Sequence, residues 1–187
     1  MTYILFFAKI LLEVSYLNTW ICNNEYSFNN DIFCKIFDFY VLKTPVNNIS
    51  QRGIPFKKRN FRDANEVLNS MKKIVPQLFS IYNCLDTNEN LEEELKMNGI
   101  FNHLDIPREY AIFKKHDKLG KTESFFYCIR CALAHGSFCI HQYDNNTFYY
   151  FENIYKEKGK KNNILNARMI LKEDTLLKII DLCNSKM

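Results

Sequence analysis

Glycine and proline are scarce in this chain, whose 187 residues include 5 glycines and 4 prolines. These two residue types mark most tight turns, so their scarcity argues against an architecture of many short strands joined by turns. We therefore expect long elements, with helices more abundant than strands. The composition favours a helical bundle.

A strong excess of charge of either sign is also absent. The 25 lysines and arginines only slightly outnumber the 21 acidic residues, which leaves a formal net charge of +4. The sequence pI is near 8.6. This mildly basic balance permits RNA, DNA or an anionic surface as a partner but requires none of them.

The apolar stretch at the N-terminus is too interrupted to span a membrane. Lys9 and Glu13 divide it well below the roughly 20 apolar residues that a bilayer requires. Lys9 also lies inside the apolar run instead of before it, and no clear small-residue cleavage site follows, so the stretch does not match a signal peptide. We predict a core helix over about residues 2–21 and no membrane partner.

Apolar and aromatic residues are plentiful. The chain is 47% hydrophobic, with 16 phenylalanines and 11 tyrosines, which is enough for one sizeable core. We predict a single domain over residues 1–187. The 7 cysteines are odd in number, and several lie in apolar runs where cysteine behaves as a small buried hydrophobe. This favours a reducing, cytoplasmic location over a disulfide framework.

Helical periodicity dominates most of the chain. Apolar residues recur at three- and four-residue spacing over 28–42 and again from Asp63 to Leu85. Asp63 and Glu66 resemble a capping box, and Pro76 introduces a kink. Further helices are predicted over 91–97, 106–116, 123–135 and 174–183.

The period changes after the helix predicted over 123–135. Residues 138–143 and 147–151 are rich in aromatic and β-branched residues and flank an Asn-rich turn, which predicts a β-hairpin. Residues 164–171 are a candidate for another strand. Together these segments predict a mainly α fold, a helical bundle with a small β-hairpin and a C-terminal helix.

The helix predicted over 123–135, with Thr122 as its N-cap, carries one motif. Its end reads Arg-Cys-Ala-Leu-Ala-His-Gly from Arg130 to Gly136. An arginine and a histidine separated by four residues near the end of a bundle helix resemble the signature of the HEPN superfamily. The apolar residues around the pair and the glycine that follows strengthen this resemblance.

The resemblance implies a HEPN-like helical bundle that pairs with itself and cuts RNA without a metal or other cofactor. In metal-free cleavage the 2′-hydroxyl attacks the neighbouring phosphorus, so one group must take a proton and another must hold the growing negative charge. Histidine suits the first task and arginine, with its forked donors, the second. Arg130 and His135 are therefore the candidate catalytic residues.

Helical geometry indicates that this site is shared between two protomers. Five positions leave Arg130 and His135 roughly 140° apart around the helix and about 7.5 Å apart along it. One helix does not place both side chains on a single stripe. Two copies facing each other across a symmetric homodimer interface could place all four side chains around one phosphate.

One position departs from the pattern of the superfamily. The residue after the arginine is commonly polar in active members, often asparagine, and here it is Cys131, a poor hydrogen-bond partner. If the polar side chain orients the arginine or the histidine, Cys131 weakens catalysis. Two alternatives therefore stay open: a non-catalytic HEPN-like module that binds RNA, a nucleotide or a protein, and a purely structural helical subunit.

A metal site on the same helix is a competing interpretation. Cys128, Cys131, His135 and Cys139 are spaced 3, 4 and 4 residues apart, which would place them on one helical face. The outer two would lie about 16 Å apart along the axis, whereas zinc holds its ligands at roughly 2.0 to 2.3 Å. We therefore predict no metal, and coordination by part of the set across two subunits stays the alternative.

Four lysines before the motif helix are the predicted RNA-binding residues: Lys114, Lys115, Lys118 and Lys121. The alternative for them and for the other basic groups, residues 57–62 and 156–161, is the commoner case of ordinary solvated loops. His103, His116 and His141 lack any spacing that suggests chemistry, and loop or surface positions are expected for them.

These observations lead to one functional prediction. We expect a metal-independent endoribonuclease of the HEPN kind that cleaves RNA at a composite homodimer site. The resemblance further implies a toxin or phage-defence effector, with an antitoxin or regulatory protein as a second partner.

Overall fold

The computed structural model of the protein describes residues 30–46, 49–50, 52–99, 108–156 and 163–185. The helices are α1 (Asn30–Phe37), α2 (Ala64–Ile74), α3 (Asn88–Met97), α4 (Lys121–His135) and α5 (Glu173–Asn184). The strands are β1 (Tyr82–Leu85), β2 (Tyr110–Lys114), β3 (Phe138–Tyr143), β4 (Asn146–Lys156) and β5 (Asn163–Lys172). A π-helical turn, Asp38–Leu42, extends α1, and 3-10 helices cover Phe56–Arg59 and Pro76–Ile81. None of these helices combines the length and the apolar character that crossing a bilayer requires.

The helix predicted over about residues 2–21 lies outside the described ranges. The helix predicted over 28–42 is confirmed over its described residues, 30–42, and those predicted over 91–97, 123–135 and 174–183 are confirmed with small shifts of their ends.

The strands form one five-stranded mixed sheet in the order β1-β2-β5-β4-β3. β1 and β2 run parallel, whereas all other neighbours run antiparallel. The predicted mainly α fold, a HEPN-like helical bundle with a small β-hairpin, is therefore wrong. The chain has an α/β fold in which helices pack on both faces of a mixed sheet.

The clearest error lies at β2, where a helix over 106–116 was expected. The first four residues of this strand are fully buried, and they pack alternately on the two faces of the sheet. A strand covered on both sides reads as a continuous apolar run without polar alternation, and a short run of this kind has no period that separates it from a buried helix.

The second error lies around Pro76. The helix predicted from Asp63 to Leu85 begins as expected, with the Asp63 carboxylate accepting a hydrogen bond from the Glu66 amide at 2.9 Å. It ends at Ile74, and a 3-10 helix from Pro76 leads directly into β1. Proline removes a backbone donor and clashes with the preceding turn, which here stops the helix instead of kinking it.

The C-terminal strands are where the sequence predicts them. In the hairpin, Tyr143 of β3 pairs with Asn146 of β4. Between them Asp144 and Asn145 have φ angles of 51° and 60°, the left-handed backbone that a tight two-residue hairpin turn requires and that Asp and Asn tolerate. The candidate strand over 164–171 is confirmed as part of β5.

Helices cover the sheet unequally. α1, α2, α4 and α5 pack with strand residues such as Phe113, Phe151 and Met169 in the larger core. On the opposite face, α3 packs with residues such as Ile112 and Ile170 in a smaller core. The motif helix α4 therefore belongs to the main layer, between the sheet and the other helices.

Candidate functional site

The motif helix α4 crosses the sheet from the β1 edge to the β3 edge. At its start, Lys121 Nζ lies 5.5 Å from the centroid of the Tyr82 ring in β1. Midway, the Asn153 side chain of β4 donates to the Cys128 thiol at 3.6 Å. At its end the chain passes directly into β3 at Phe138. The two ends of α4 thus stand at opposite edges of the sheet.

The start of α4 differs from the prediction that Thr122 caps it. Gly120 is the residue before the first helical turn, and its amide donates to the Glu123 carboxylate at 2.9 Å. Thr122 is buried inside the helix, where its hydroxyl donates to the Ala64 carbonyl at 3.0 Å. The threonine therefore joins α4 to α2, and Glu123 satisfies the free amide at the helix start.

The end of α4 is confirmed at the predicted glycine. Gly136 adopts a φ of 68°, its amide donates to the Leu133 carbonyl, and the Ser137 amide donates to the Ala132 carbonyl at 2.8 Å. This pair of bonds is the common way for a helix to stop at a left-handed glycine. His135 is left as the last helical residue, exposed to solvent.

Most of α4 is buried, and a single narrow stripe faces outward. We call Tyr127, Arg130 and Ala134 the outer stripe, because their spacing places them on one side of the helix. Tyr127 and Arg130 are half-buried and Ala134 is exposed. The predicted catalytic arginine therefore points away from the main core.

The Arg130 guanidinium has an unusual environment. Its Nε atom is buried and has no hydrogen-bond acceptor among the residues that the structure describes. Buried polar groups almost always have a partner, so an unsatisfied one calls for an explanation such as a ligand or an ordered water. Arg130 thus retains hydrogen-bonding capacity that the described fold does not use.

The imidazole of His135 is also unengaged. It makes no side-chain hydrogen bond or ion pair within the described ranges. Arg130 and His135 stay roughly 140° and about 7.5 Å apart, as for any such pair on a regular helix. One protomer therefore does not bring the two candidate catalytic side chains together.

Cys131, the residue after Arg130 in the motif, is buried in α4. Burial, followed by the neighbouring Cys131 thiol, raises the pKa of Tyr127 to about 12. Within the described ranges Cys131 makes no hydrogen bond with Arg130 or His135. Its thiol therefore does not orient the two candidate catalytic side chains in one protomer.

His116, for which only a loop or surface position was expected, contacts the outer stripe. Its ring centroid lies 4.7 Å from that of Tyr127. The Lys118 amide donates to His116 Nδ1 at 3.2 Å, and the His116 amide donates to Ser124 Oγ at 3.0 Å. These bonds fold the loop between β2 and α4 back onto the first turns of the helix.

The four predicted RNA-binding lysines lie at the start of α4, far from His135. Lys114 ends β2, and the Lys115 amide donates to the Leu85 carbonyl at 2.7 Å. Lys118 is exposed in the loop, and Lys121 begins the helix. Fourteen helical positions separate Lys121 from His135, which is about 21 Å. Within one protomer the lysines do not approach the histidine.

The residues of the alternative metal site are separated by the fold. Cys139 lies in β3 and pairs with Tyr150, so it does not continue the α4 face. Cys128 is fully buried, and burial raises the pKa of its thiol to about 12, which disfavours the thiolate that a metal binds. In the part of the chain that the structure describes, no group of three or more ligating side chains could hold a metal ion.

No family model matches the sequence, and no curated protein or solved structure matches it significantly.

Proposed function

We propose that the protein is a metal-independent ribonuclease whose active site is assembled from the Arg130 and His135 side chains of two copies of the chain. The predicted HEPN-like bundle is wrong, so the fold lends no support to this proposal. The observation that carries it is the outward-facing Arg130, whose buried Nε lacks a partner among the described residues. The exposed, unengaged His135 five positions later supplies the second functional group.

The chemistry needs only these two kinds of side chain. His135 takes the proton of a ribose 2′-hydroxyl, the 2′-oxygen bonds to the adjacent phosphorus, and the bond from phosphorus to the 5′-oxygen breaks. The products are a 2′,3′-cyclic phosphate and a 5′-hydroxyl that receives a proton from a histidine. Arg130 donates to the non-bridging oxygens, where negative charge builds up.

Two copies are needed because one helix separates the two side chains. A two-fold axis that faces the α4 ends of two protomers toward each other would place Arg130 of one protomer near His135 of its partner. The same operation would bring both copies of each residue around one cleft. Lys114, Lys115, Lys118 and Lys121 contact more distant phosphates of the same RNA.

The cellular setting follows from the same proposal. The buried cysteines Cys128, Cys131 and Cys183 are free thiols, which suits a reducing cytoplasm. A ribonuclease of this kind would act as a toxin or phage-defence effector held in check by an antitoxin or another regulatory protein.

RNA cleavage by the purified protein in excess chelator tests the proposal. Arg130→Ala and His135→Ala should each lower the rate by 100-fold or more, the order that loss of a proton-transfer or charge-stabilising group causes. Matched controls are Arg52→Ala, at an exposed arginine outside α4, and His141→Ala, in β3. Full activity in both Arg130→Ala and His135→Ala would overturn the assignment.

A non-catalytic RNA-binding module is the second candidate. It is favoured by Cys131, which is buried and makes no hydrogen bond with Arg130 or His135 within the described ranges. RNA binding that depends on Arg130, together with no cleavage of structured or unstructured RNAs, would establish this alternative.

A further inference from the structure

Two half-exposed rings lie in contact beside the candidate site. His116 and Tyr127 have centroids 4.7 Å apart and ring planes at 63°. Both rings are half-buried, so part of each is open to solvent. Tyr127 belongs to the outer stripe, one helical turn before Arg130, whereas His116 reaches it from the loop between β2 and α4.

This ring pair lies between two sources of positive charge. On one side, Lys115 and Lys118 are exposed in the loop that carries His116. On the other side, Arg130 follows Tyr127 by three positions, about 4.5 Å along the helix. The surface therefore runs from lysines to aromatic rings to arginine.

Cations that alternate with open aromatic rings are typical of surfaces that bind single-stranded nucleic acid. The cations contact phosphates, and a base stacks on a ring whatever its identity, because every base has a π face. Duplex RNA keeps its bases stacked on each other and does not offer them to such a ring.

We infer that His116 and Tyr127 form a nucleobase subsite, on which one base of a single-stranded RNA stacks while the adjacent phosphates contact Lys118 and Arg130. The inference rests on the proposed function and adds the strandedness of the substrate and two residues that position it. Neither residue takes part in the chemical step.

A hydrogen bond holds the His116 ring before any ligand arrives. The Lys118 amide donates to His116 Nδ1, which leaves Nε2 as the ring atom without a hydrogen-bond partner among the described residues. The Tyr127 ring is half-buried on α4, which limits its motion. A surface ordered in advance loses less conformational entropy when it binds a ligand.

The test compares the binding of a single-stranded RNA oligonucleotide and a duplex of the same sequence, in the His135→Ala background so that no RNA is consumed. His116→Ala and Tyr127→Leu should each weaken binding of the single strand about tenfold, the order found for loss of one stacked base. Binding of the duplex should change little. His116→Phe and Tyr127→Phe, which keep a ring, should retain the affinity for the single strand.

A second histidine–tyrosine pair in the chain provides the matched control. His141 and Tyr150 have ring centroids 6.1 Å apart in the β3–β4 hairpin, away from the lysine loop. His141→Ala should leave binding of the single strand unchanged. If Tyr127→Leu fails to fold, His116→Ala, at a half-exposed loop position, still decides the question.

The outcomes separate the two proposals. Unchanged affinity for the single strand in the ring variants, with binding still dependent on Arg130, would overturn the subsite alone. Ring-dependent binding of the single strand by a protein that cleaves no RNA would uphold the subsite and overturn the proposed nuclease. A wild-type protein without affinity for either RNA would overturn both.

Discussion

Arg168 and Glu152 form a buried ion pair on the face of the sheet opposite α4, with Nη2 and Nε of the arginine 2.6 Å and 2.9 Å from the same carboxylate oxygen. The two residues are directly paired across β4 and β5. The register of these central strands shifts immediately afterwards, between Asn153 and Ile154. The ion pair thus lies close to this register shift and favours one alignment of β4, the strand that contacts α4, with β5.

We expect removal of one partner of this pair to destabilise the protein strongly. Glu152→Leu leaves the fully buried Arg168 without its carboxylate and should lower the free energy of unfolding by about 3–5 kcal/mol. The double variant Glu152→Leu/Arg168→Met, which removes both charges, should recover most of that loss. Urea unfolding of the single and double variants measures both effects, and additive losses would show that the two residues do not act as a pair.

The parts of the fold predicted correctly are those whose signal is local. The β3–β4 hairpin follows from aromatic strands around Asp144 and Asn145, which tolerate the left-handed turn. The end of α4 follows from Gly136. Each of these features depends on a few consecutive residues, so the sequence alone is sufficient to locate it.

The parts that were missed depend on distant contacts. β1 and β2 are strands because they pair with each other and because β2 also pairs with β5, some 60 residues later in the chain. The four residues of β1, Tyr82–Leu85, are too few to show a period. A local pattern does not reveal such partners, which is why a sheet of five strands was predicted as a bundle with one hairpin.

In the candidate site, too, local features could be predicted from the sequence and tertiary contacts could not. The placement of Arg130 and His135 near the end of one helix could be predicted from their spacing. The contact between His116 and Tyr127 could not, because residues 106–116 were assigned to a helix and the folding of the loop onto α4 is a tertiary effect. The unsatisfied Nε of Arg130 likewise becomes visible only once its surroundings are known.

Substitution of Gly136, the glycine that ends α4, tests how precisely His135 must be positioned for cleavage. Gly136→Ala puts a Cβ on a residue with a φ of 68°, which costs about 1 kcal/mol and shifts the last turn. We expect the proposed cleavage rate to fall about tenfold, since a small misplacement of a reacting group is costly. The cleavage rates of variant and wild type are each divided by the concentration of folded protein before they are compared.

Gly99 is the matched control for this variant, because it also has a φ of 68° and follows a different helix, α3. Gly99→Ala should cause a similar loss of stability in urea unfolding, with no loss of cleavage. An equal fall in rate for both variants would mean that general destabilisation, not the position of His135, limits activity.

An active site shared between two protomers should respond to the mixing of inactive variants, whereas a site within one protomer should not. Arg130→Ala and His135→Ala homodimers should both be inactive. When the two variants are mixed after dissociation and allowed to reassociate, half of the dimers contain one subunit of each kind. Such a dimer retains one arginine and one histidine on different subunits, and these can meet in the shared cleft as one intact Arg–His pair, while the other pair lacks both residues.

We therefore expect the mixture to recover about a quarter of the wild-type cleavage rate, since half of the dimers retain one of the two Arg–His pairs of the shared cleft. The measurement is cleavage of a labelled RNA in chelator before and after reassociation, with mixing of two Arg130→Ala preparations as the control. Recovery near this level would establish that Arg130 and His135 act across an interface. A mixture as inactive as its parents, although mixed dimers have formed, would place the two residues in the same site of one protomer or outside catalysis altogether.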